Sequence, residues 1–92
     1  MDEFVKSRLG YLKSGTVVEV VLSGSASEVF LADDANLRTL EAGDVSEFRG
    51  YGGPVDQSPV RLGVPSSGIW NVVVIPMGGT VTVASVTWFA AA

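Results

Sequence analysis

Cysteine and histidine are both absent from this 92-residue chain. Without cysteine there is no disulfide, no thiolate nucleophile and no thiolate metal site, so the chain suits a reducing compartment. Without histidine it lacks the commonest general base at neutral pH and the commonest neutral metal ligand. Because the usual catalytic triads and structural zinc sites need these residues, we expect a protein that is not an enzyme and uses no cofactor.

Basic residues are few: six Lys and Arg stand against ten Asp and Glu, which gives a net charge of −4. The cations are scattered singly along the chain, at Lys6, Arg8, Lys13, Arg38, Arg49 and Arg61. Binding to a nucleic acid or to an anionic membrane surface requires cations gathered on one surface. We therefore expect neither a nucleic acid nor a membrane as a partner.

Long apolar runs are also missing. The densest one, residues 69–77, is interrupted by Asn71 and Pro76, and it is far shorter than the roughly 20 residues of a membrane helix. Residues 1–3, Met-Asp-Glu, lack the basic start and apolar run of a secretory signal. We expect a soluble protein with a cytoplasmic location.

Valine and short turn signals are abundant. The branched Cβ of Val favours strands, and the frequent Gly, Ser, Asp and Asn clusters leave room for strands of about five to nine residues but not for long helices. We predict a single all-β domain over residues 1–92, a small β-sandwich or flattened barrel of about seven to eight mostly antiparallel strands. The predicted strands are 4–12, 16–22, 28–32, 45–51, 59–64, 69–75 and 80–89.

Two segments leave alternatives open. Residues 4–12 also fit a helical stripe, and residues 37–41 fit a turn of helix, an irregular crossing or a strand equally well. Alternation is clearer in 16–22, where Val18, Val20 and Leu22 should share one face.

Charge is distributed unevenly, because every charged residue lies at or before Arg61. The last strand mixes Thr and Ser with Val and so has no clean polar face. We expect residues 62–92 to lie inside the sheet or against a partner.

Several residues could bind a ligand. Guanidinium groups bind carboxylates and phosphates through paired hydrogen bonds, and a tyrosine among glycines is a candidate for exposure. The candidate ligand-binding residues are Asp34, Asn36, Arg38, Arg49, Tyr51 and Arg61. For Arg61 the simpler interpretation is a solvent-facing side chain or an ion pair with Glu47 or Asp56.

The segment Asp33-Asp34-Ala35-Asn36 is typical of a turn closed by side-chain hydrogen bonds to the backbone. A calcium site is the alternative, since Asp33, Asp34, Asn36 and Asp44 carry hard oxygen donors. The segment departs from the calcium-loop pattern at its fifth and sixth positions, so the turn is favoured.

Glycines and aromatics also need an interpretation. Residues 50–54, Gly-Tyr-Gly-Gly-Pro, could cradle a phosphate, but Pro54 removes a donor and no helical pattern follows, so a hairpin or bulge connection is favoured. Trp70, followed at alternate positions by Val72 and Val74, is predicted to lie in the core.

Four stretches carry a resemblance to a known family: LKSGTVVEV (12–20), ANLR (35–38), YGG (51–53) and SPVRLGVPSSGIWNV (58–72). From about residue 4 to the last strand the chain resembles the small bacterial proteins of domain of unknown function 1883. The resemblance implies an all-β sandwich and a bacterial source, with no established activity. Some members look like modules appended to signalling or defence domains, which suggests recognition or assembly.

The chain departs from that family at positions that matter for chemistry. Family members often carry histidines around the Pro-Ser-Gly-x-Trp segment and an acidic residue before the glycine pair. Here Ser66, Ile69 and Asn71 stand at the histidine positions and Pro76 at the acidic one. A metal or acid–base role for those histidines cannot operate in this chain.

Three hypotheses follow. The first is a non-enzymatic interaction or self-assembly module, whose partner is a second copy or another protein. The second is a small-ligand or carbohydrate-binding domain, which needs at least two residues of one set on a single concave surface. That set is Arg38, Arg49, Arg61 and Tyr51. The third, an enzyme, is disfavoured.

Overall fold

A computed structural model describes residues 4–44 and 46–90. Within these residues the chain forms seven strands and one helix: β1 (Val5–Leu12), β2 (Val17–Gly24), β3 (Ser27–Asp33), α1 (Asp34–Glu41), β4 (Tyr51–Val55), β5 (Val60–Gly63), β6 (Gly68–Pro76) and β7 (Val81–Phe89). The strands make two antiparallel sheets, with orders β1-β6-β3-β4 and β5-β2-β7. The all-β class is confirmed, and of the two predicted architectures the fold is the sandwich rather than a closed barrel.

The main core lies between the two sheets. In β2, Val18 and Val20 are fully buried and Leu22 packs against them, which confirms the face predicted from their alternation. Opposite them, Val72 and Val74 of β6 point into the same core. Fully burying a valine side chain stabilises the fold by about 1.5 kcal/mol or more, so these alternating valines hold the sheets together.

A second apolar layer lies on the outer face of the four-stranded sheet. There Val73 of β6, between Val72 and Val74, contacts Ala32 of β3 and Leu40 of α1, and all three are buried. Because β6 lies inside its sheet and is covered on both faces, its sequence is a nearly continuous apolar run. The uncharged segment after Arg61 is thus buried in β6, as expected, but not throughout β7.

Helix α1 begins where Asp33 caps it. The Asp33 carboxylate accepts a hydrogen bond from the backbone N–H of Asn36 at 2.8 Å, which satisfies one of the unpaired donors of the first turn. The predicted side-chain-to-backbone bond is therefore present, and it starts a helix. Of the alternatives for residues 37–41, the helix is the one observed.

The strand predicted at 45–51 is wrong. Residues 46–50 form a turn and an irregular segment, Val45 lies outside the described residues, and β4 begins only at Tyr51. Phe48 packs edge-on against Phe30, with ring centroids 5.5 Å apart, on the helix-covered side of the sheet. That aromatic contact packs the segment against the surface of the sheet, where it does not pair as a strand.

The interpretation of residues 50–54 as a connection is also wrong for most of that segment. Gly52, Gly53 and Pro54 belong to β4 and pair with β3. At Gly52, where φ is +152°, a Cβ atom would overlap the carbonyl oxygen of Val29. Glycine is needed at this position because the two backbones approach closely.

Helix α1 is eight residues long. Among residues 4–44 and 46–90 no helix is long and apolar enough to cross a membrane.

Candidate functional site

A polar cluster joins β1, β6 and the first turn of α1. The pairing of β1 with β6 places Arg8 directly opposite Asn71, and both reach Asp34 at the start of the helix. Nη1 of Arg8 donates to both carboxylate oxygens of Asp34 at 3.2 Å. Asn71, buried at 1 % exposure, donates from Nδ2 to Oδ1 of Asp34 at 2.9 Å and to the carbonyl oxygen of Ala32 at 3.1 Å.

These contacts fix the charge state of Asp34. The hydrogen bond from Asn71, together with the nearby positive charge of Arg8, holds the pKa of Asp34 below its ordinary value of 3.8. Hydrogen bonds and opposite charges favour the ionised carboxylate. Asp34 is therefore ionised at neutral pH and binds Arg8 and Asn71 as a carboxylate.

Three other candidate residues lie on the same helix-covered side. Asn36 accepts a hydrogen bond from the backbone N–H of Arg49 at 2.8 Å, while the Arg49 side chain donates to the carbonyl oxygens of Ser46 and Phe48. Arg38 is exposed in the last turn of α1. Asn36 and Arg49 are thus engaged in holding the segment after the helix.

The two remaining candidates lie elsewhere. Tyr51 on β4 is 55 % exposed and packs edge-on against Trp70, which is 4 % exposed; the exposure of the first and the burial of the second confirm their predictions. Arg61 is on the outer face of the three-stranded sheet, where its Nε donates to Glu19 at 3.0 Å. The ion-pair partners predicted for Arg61 were wrong, because strand pairing places Glu19 opposite it.

The two carboxylates at the start of α1 already bind groups of the same chain. Asp33 caps the helix and Asp34 is bonded to Arg8 and Asn71. Across the described ranges 4–44 and 46–90 no group of three or more His, Cys, Asp or Glu side chains could hold a metal ion. Ligand binding at the six candidate residues stays a prediction.

A different surface emerges at the side of the sandwich where β1 and β7 are the outermost strands. Of the six large hydrophobic residues that are exposed within the described chain, five lie on β1, on β7 or in the turn between β6 and β7. They are Val5, Tyr11, Met77, Trp88 and Phe89, with exposures of 38 % to 63 %. We call this surface the β1–β7 edge.

Of the strands at the sides of the two sheets, β7 is the least protected against further pairing. The strand β1 carries Lys6 and Arg8 and has a bulge before Gly10, β4 contains Pro54, and β5 is four residues long and carries Arg61. Charges, proline, bulges and shortness are the features that stop edge strands from pairing. The nine residues of β7 include no charge and no proline, and the irregularity in its pairing is one bulge opposite Val21 and Leu22.

Two open clefts lie at the two ends of the β1–β7 edge. The larger, of about 510 Å3, is lined by the starts of both strands and by the β6–β7 turn: Phe4, Val5, Pro76, Gly78, Gly79, Thr80 and Val81. The other, of about 390 Å3, is lined by residues 11–16 and Ala90, at the ends of both strands. Neither cleft is lined by any of the six candidate residues.

The chemistry of this surface suits pairing with a strand. Among the described residues β7 pairs only with β2, so one side of its backbone presents N–H and C=O groups to the surroundings. An unpaired row of backbone groups flanked by apolar side chains is a template for an added strand.

Sequence reasoning pointed to the last strand but missed most of this surface. Trp88, Val5 and Met77 were not among the candidate residues. A lone polar residue in the apolar run of β6 was the available signal for Asn71, and the absence of charge in β7 was the signal for the edge.

A protein-family model matches the chain over residues 3–91, and it is described as domain of unknown function (DUF1883). No curated protein and no solved structure matches the chain.

Proposed function

The chain belongs to the DUF1883 family of domains of unknown function, and we propose that it is a non-enzymatic interaction module that self-associates through the open side of β7. The observation that carries this proposal is the nine-residue β7, which lies at the side of its sheet without a charged residue or proline. Pairing with the same strand of a second copy would extend each three-stranded sheet into one of six strands.

A second copy is the favoured partner because antiparallel pairing of identical strands is closed by a two-fold axis. In such a pair the same surface is used by both copies, and no further edge is created for a third. Two-fold dimers are the commonest assemblies of soluble proteins. The strand β7 is long enough to provide several backbone hydrogen bonds between the copies.

The apolar side chains at the same edge support the proposal. Stable interfaces bury roughly 800 Å2 on each partner, more than a row of backbone groups provides alone. Trp88 and Phe89 are about half exposed, at 46 % and 49 %, and aromatic side chains are the groups that most often dominate interface energies. Their burial would supply the hydrophobic part of the association.

Binding of a small ligand or carbohydrate has less support. Two of the six residues, Tyr51 and Arg61, lie away from the helix-covered side, and Arg61 is paired to Glu19. On the helix-covered side, the Arg49 side chain is bonded to carbonyl groups of its own segment. A binding site needs several polar groups directed into one pocket.

The proposal is tested by measuring solution mass by light scattering over a concentration series at low and high salt. We expect a dimer at micromolar concentration that persists at high salt, because apolar burial is not screened by ions. The variant Ser85→Lys/Thr87→Lys should be monomeric. Thr87 lies opposite Glu19 in the pairing with β2, so a lysine there is compatible with the folded monomer, while it places charge on the edge.

The matched control is Ala42→Lys/Ser46→Lys, which adds the same two charges at exposed positions beyond the end of α1. Both double variants bring the net charge closer to zero, so a change in long-range repulsion cannot explain a difference between them. A monomeric parent protein at all concentrations would disprove self-association. A dimer that survives the β7 variant would show that another surface is used.

A further inference from the structure

We infer that the indole of Trp88 from each copy enters the 510 Å3 cleft at the start of β1 and β7 of the other copy. This inference rests on the proposed pairing of β7 and identifies the principal side-chain contact within it. It assigns a binding function to a cleft that the pairing of backbones alone would leave empty.

The position of Trp88 supports this contact. In the pairing of β7 with β2, Trp88 lies opposite Val18, which is fully buried between the sheets. Cross-strand partners share one face of a sheet, so Trp88 also points to the inner side. It is nevertheless 46 % exposed, because β7 is the last strand of its sheet and no strand in ranges 4–44 and 46–90 pairs beyond it.

The cleft suits an indole ring. None of the described residues that line it is charged, and they combine the apolar Phe4, Val5 and Val81 with the polar Thr80. Its volume lies within the range of about 300 to 1,000 Å3 that is usual for pockets that hold a small organic group. The apolar wall fits the ring, and the hydroxyl of Thr80 can accept a hydrogen bond from the indole N–H.

Strand direction brings the two features together. The cleft lies beside Val81 at the start of β7, and Trp88 lies near its end. In an antiparallel two-fold pair the end of one strand lies beside the start of the other. A continued sheet also keeps the inner faces of both copies on the same side, so Trp88 of one copy projects on the side where the cleft of the other opens. The two-fold axis generates two such contacts.

The first test follows the accessibility of tryptophan. Trp70 is 4 % exposed and is shielded in the monomer, so acrylamide quenching of the parent protein reports mainly on Trp88. We expect quenching to fall as concentration rises through the dimerisation range that light scattering gives. The variant Trp88→Phe retains only Trp70 and should show no such change.

The second test is a double-mutant cycle on dimer affinity. Trp88→Ala and Thr80→Arg should each weaken the dimer at least tenfold, since tryptophan truncations at interface centres often have large effects. The dimer affinity of the double variant should equal the lower of the two single-variant affinities, because the arginine has no indole left to displace. Tyr51→Ser removes an exposed aromatic side chain on β4 and should leave the affinity unchanged.

The outcomes separate this inference from the proposed function. If the parent protein never dimerises, both fail. Suppose instead that the parent dimerises and Ser85→Lys/Thr87→Lys is monomeric, so that pairing of β7 stands. If Trp88 then remains accessible to acrylamide, or if the two substitutions weaken the dimer additively, the contact between Trp88 and the cleft is disproved. If only Thr80→Arg weakens the dimer, another segment of the second copy occupies the cleft and the inference is equally overturned.

Discussion

Asn71 donates a hydrogen bond from its side-chain amide to the carboxylate of Asp34 at 2.9 Å. This bond links the buried strand β6 to the first turn of α1. The second bond from the same amide, to the carbonyl oxygen of Ala32, adds β3 to the link. A single buried side chain therefore joins three elements, and its donor character is essential because both of its partners are acceptors.

Changing Asn71 to Asp should destabilise the fold strongly at neutral pH. An ionised Asp at this buried position has no donor, and it would face the carboxylate of Asp34 and the carbonyl oxygen of Ala32. We expect the free energy of unfolding to fall by more than about 3 kcal/mol at pH 7, with part of the loss recovered near pH 5. Denaturant unfolding at the two pH values measures both effects.

Asn71→Leu is the control for that experiment, because it removes the two donor hydrogens without adding charge. It should cost about 1 to 3 kcal/mol and show no recovery at pH 5. If both variants lose the same stability at pH 7, the loss of the two donated hydrogen bonds accounts for the whole effect, and repulsion between the new carboxylate and Asp34 is disproved.

The lowered pKa of Asp34 predicts a pH dependence of stability. A carboxyl group whose pKa is lower in the folded state stabilises the fold above its unfolded pKa, about 3.9. That stabilisation disappears as the pH falls through the lower, folded pKa. We expect unfolding free energy to decrease on acidification below about pH 4, and to decrease less steeply in Asp34→Asn, which has no carboxyl group to protonate.

Urea unfolding between neutral pH and strongly acidic pH measures this dependence. Asp56→Asn makes the same charge change in an exposed turn, and it shows how much of any difference is due to net charge. The same acid slope in the parent protein and in Asp34→Asn would contradict the lowered pKa.

Adjacent glycines in β4 should respond in opposite ways to alanine. At Gly52 a Cβ atom would overlap the carbonyl oxygen of Val29, whereas at Gly53 it would meet nothing within 4 Å. We expect Gly52→Ala to lower the unfolding temperature, with a loss of at least about 2 kcal/mol. Gly53→Ala should change stability by less than about 1 kcal/mol. Equal effects would mean that β4 does not approach β3 as described.

Local patterns predicted the interior of the fold well. Alternating valines in β2 and the apolar run of β6 specify buried faces whatever their neighbours are, so these strands could be predicted from the sequence alone. The segment 45–51 contains Val, Phe and Tyr, which are common in strands, and it was mistaken for a strand. Phe48 is instead anchored on Phe30, a contact that the local sequence does not encode.

Relationships between distant segments were the harder part. Arg61 pairs with Glu19 and Asn71 with Asp34 because of strand registers, and the sequence does not state which strands are neighbours. The sequence shows that β7 has no charged residue. Both a strand buried inside a sheet and a strand at an open edge can lack charge, so the sequence alone does not say which kind of strand β7 is. Only the sheet order distinguishes them.

Protection of β7 amides on association reports directly on self-association through this strand. Hydrogen exchange is followed below and above the dimerisation concentration, with residues 81–89 compared against the edge strands β4 and β5. We predict that exchange in β7 slows at the higher concentration, because its outward N–H groups become hydrogen-bonded, while exchange in β4 and β5 does not change. Association that leaves β7 exchange unchanged, or that slows exchange in β4 or β5 instead, would show that the copies do not pair through β7.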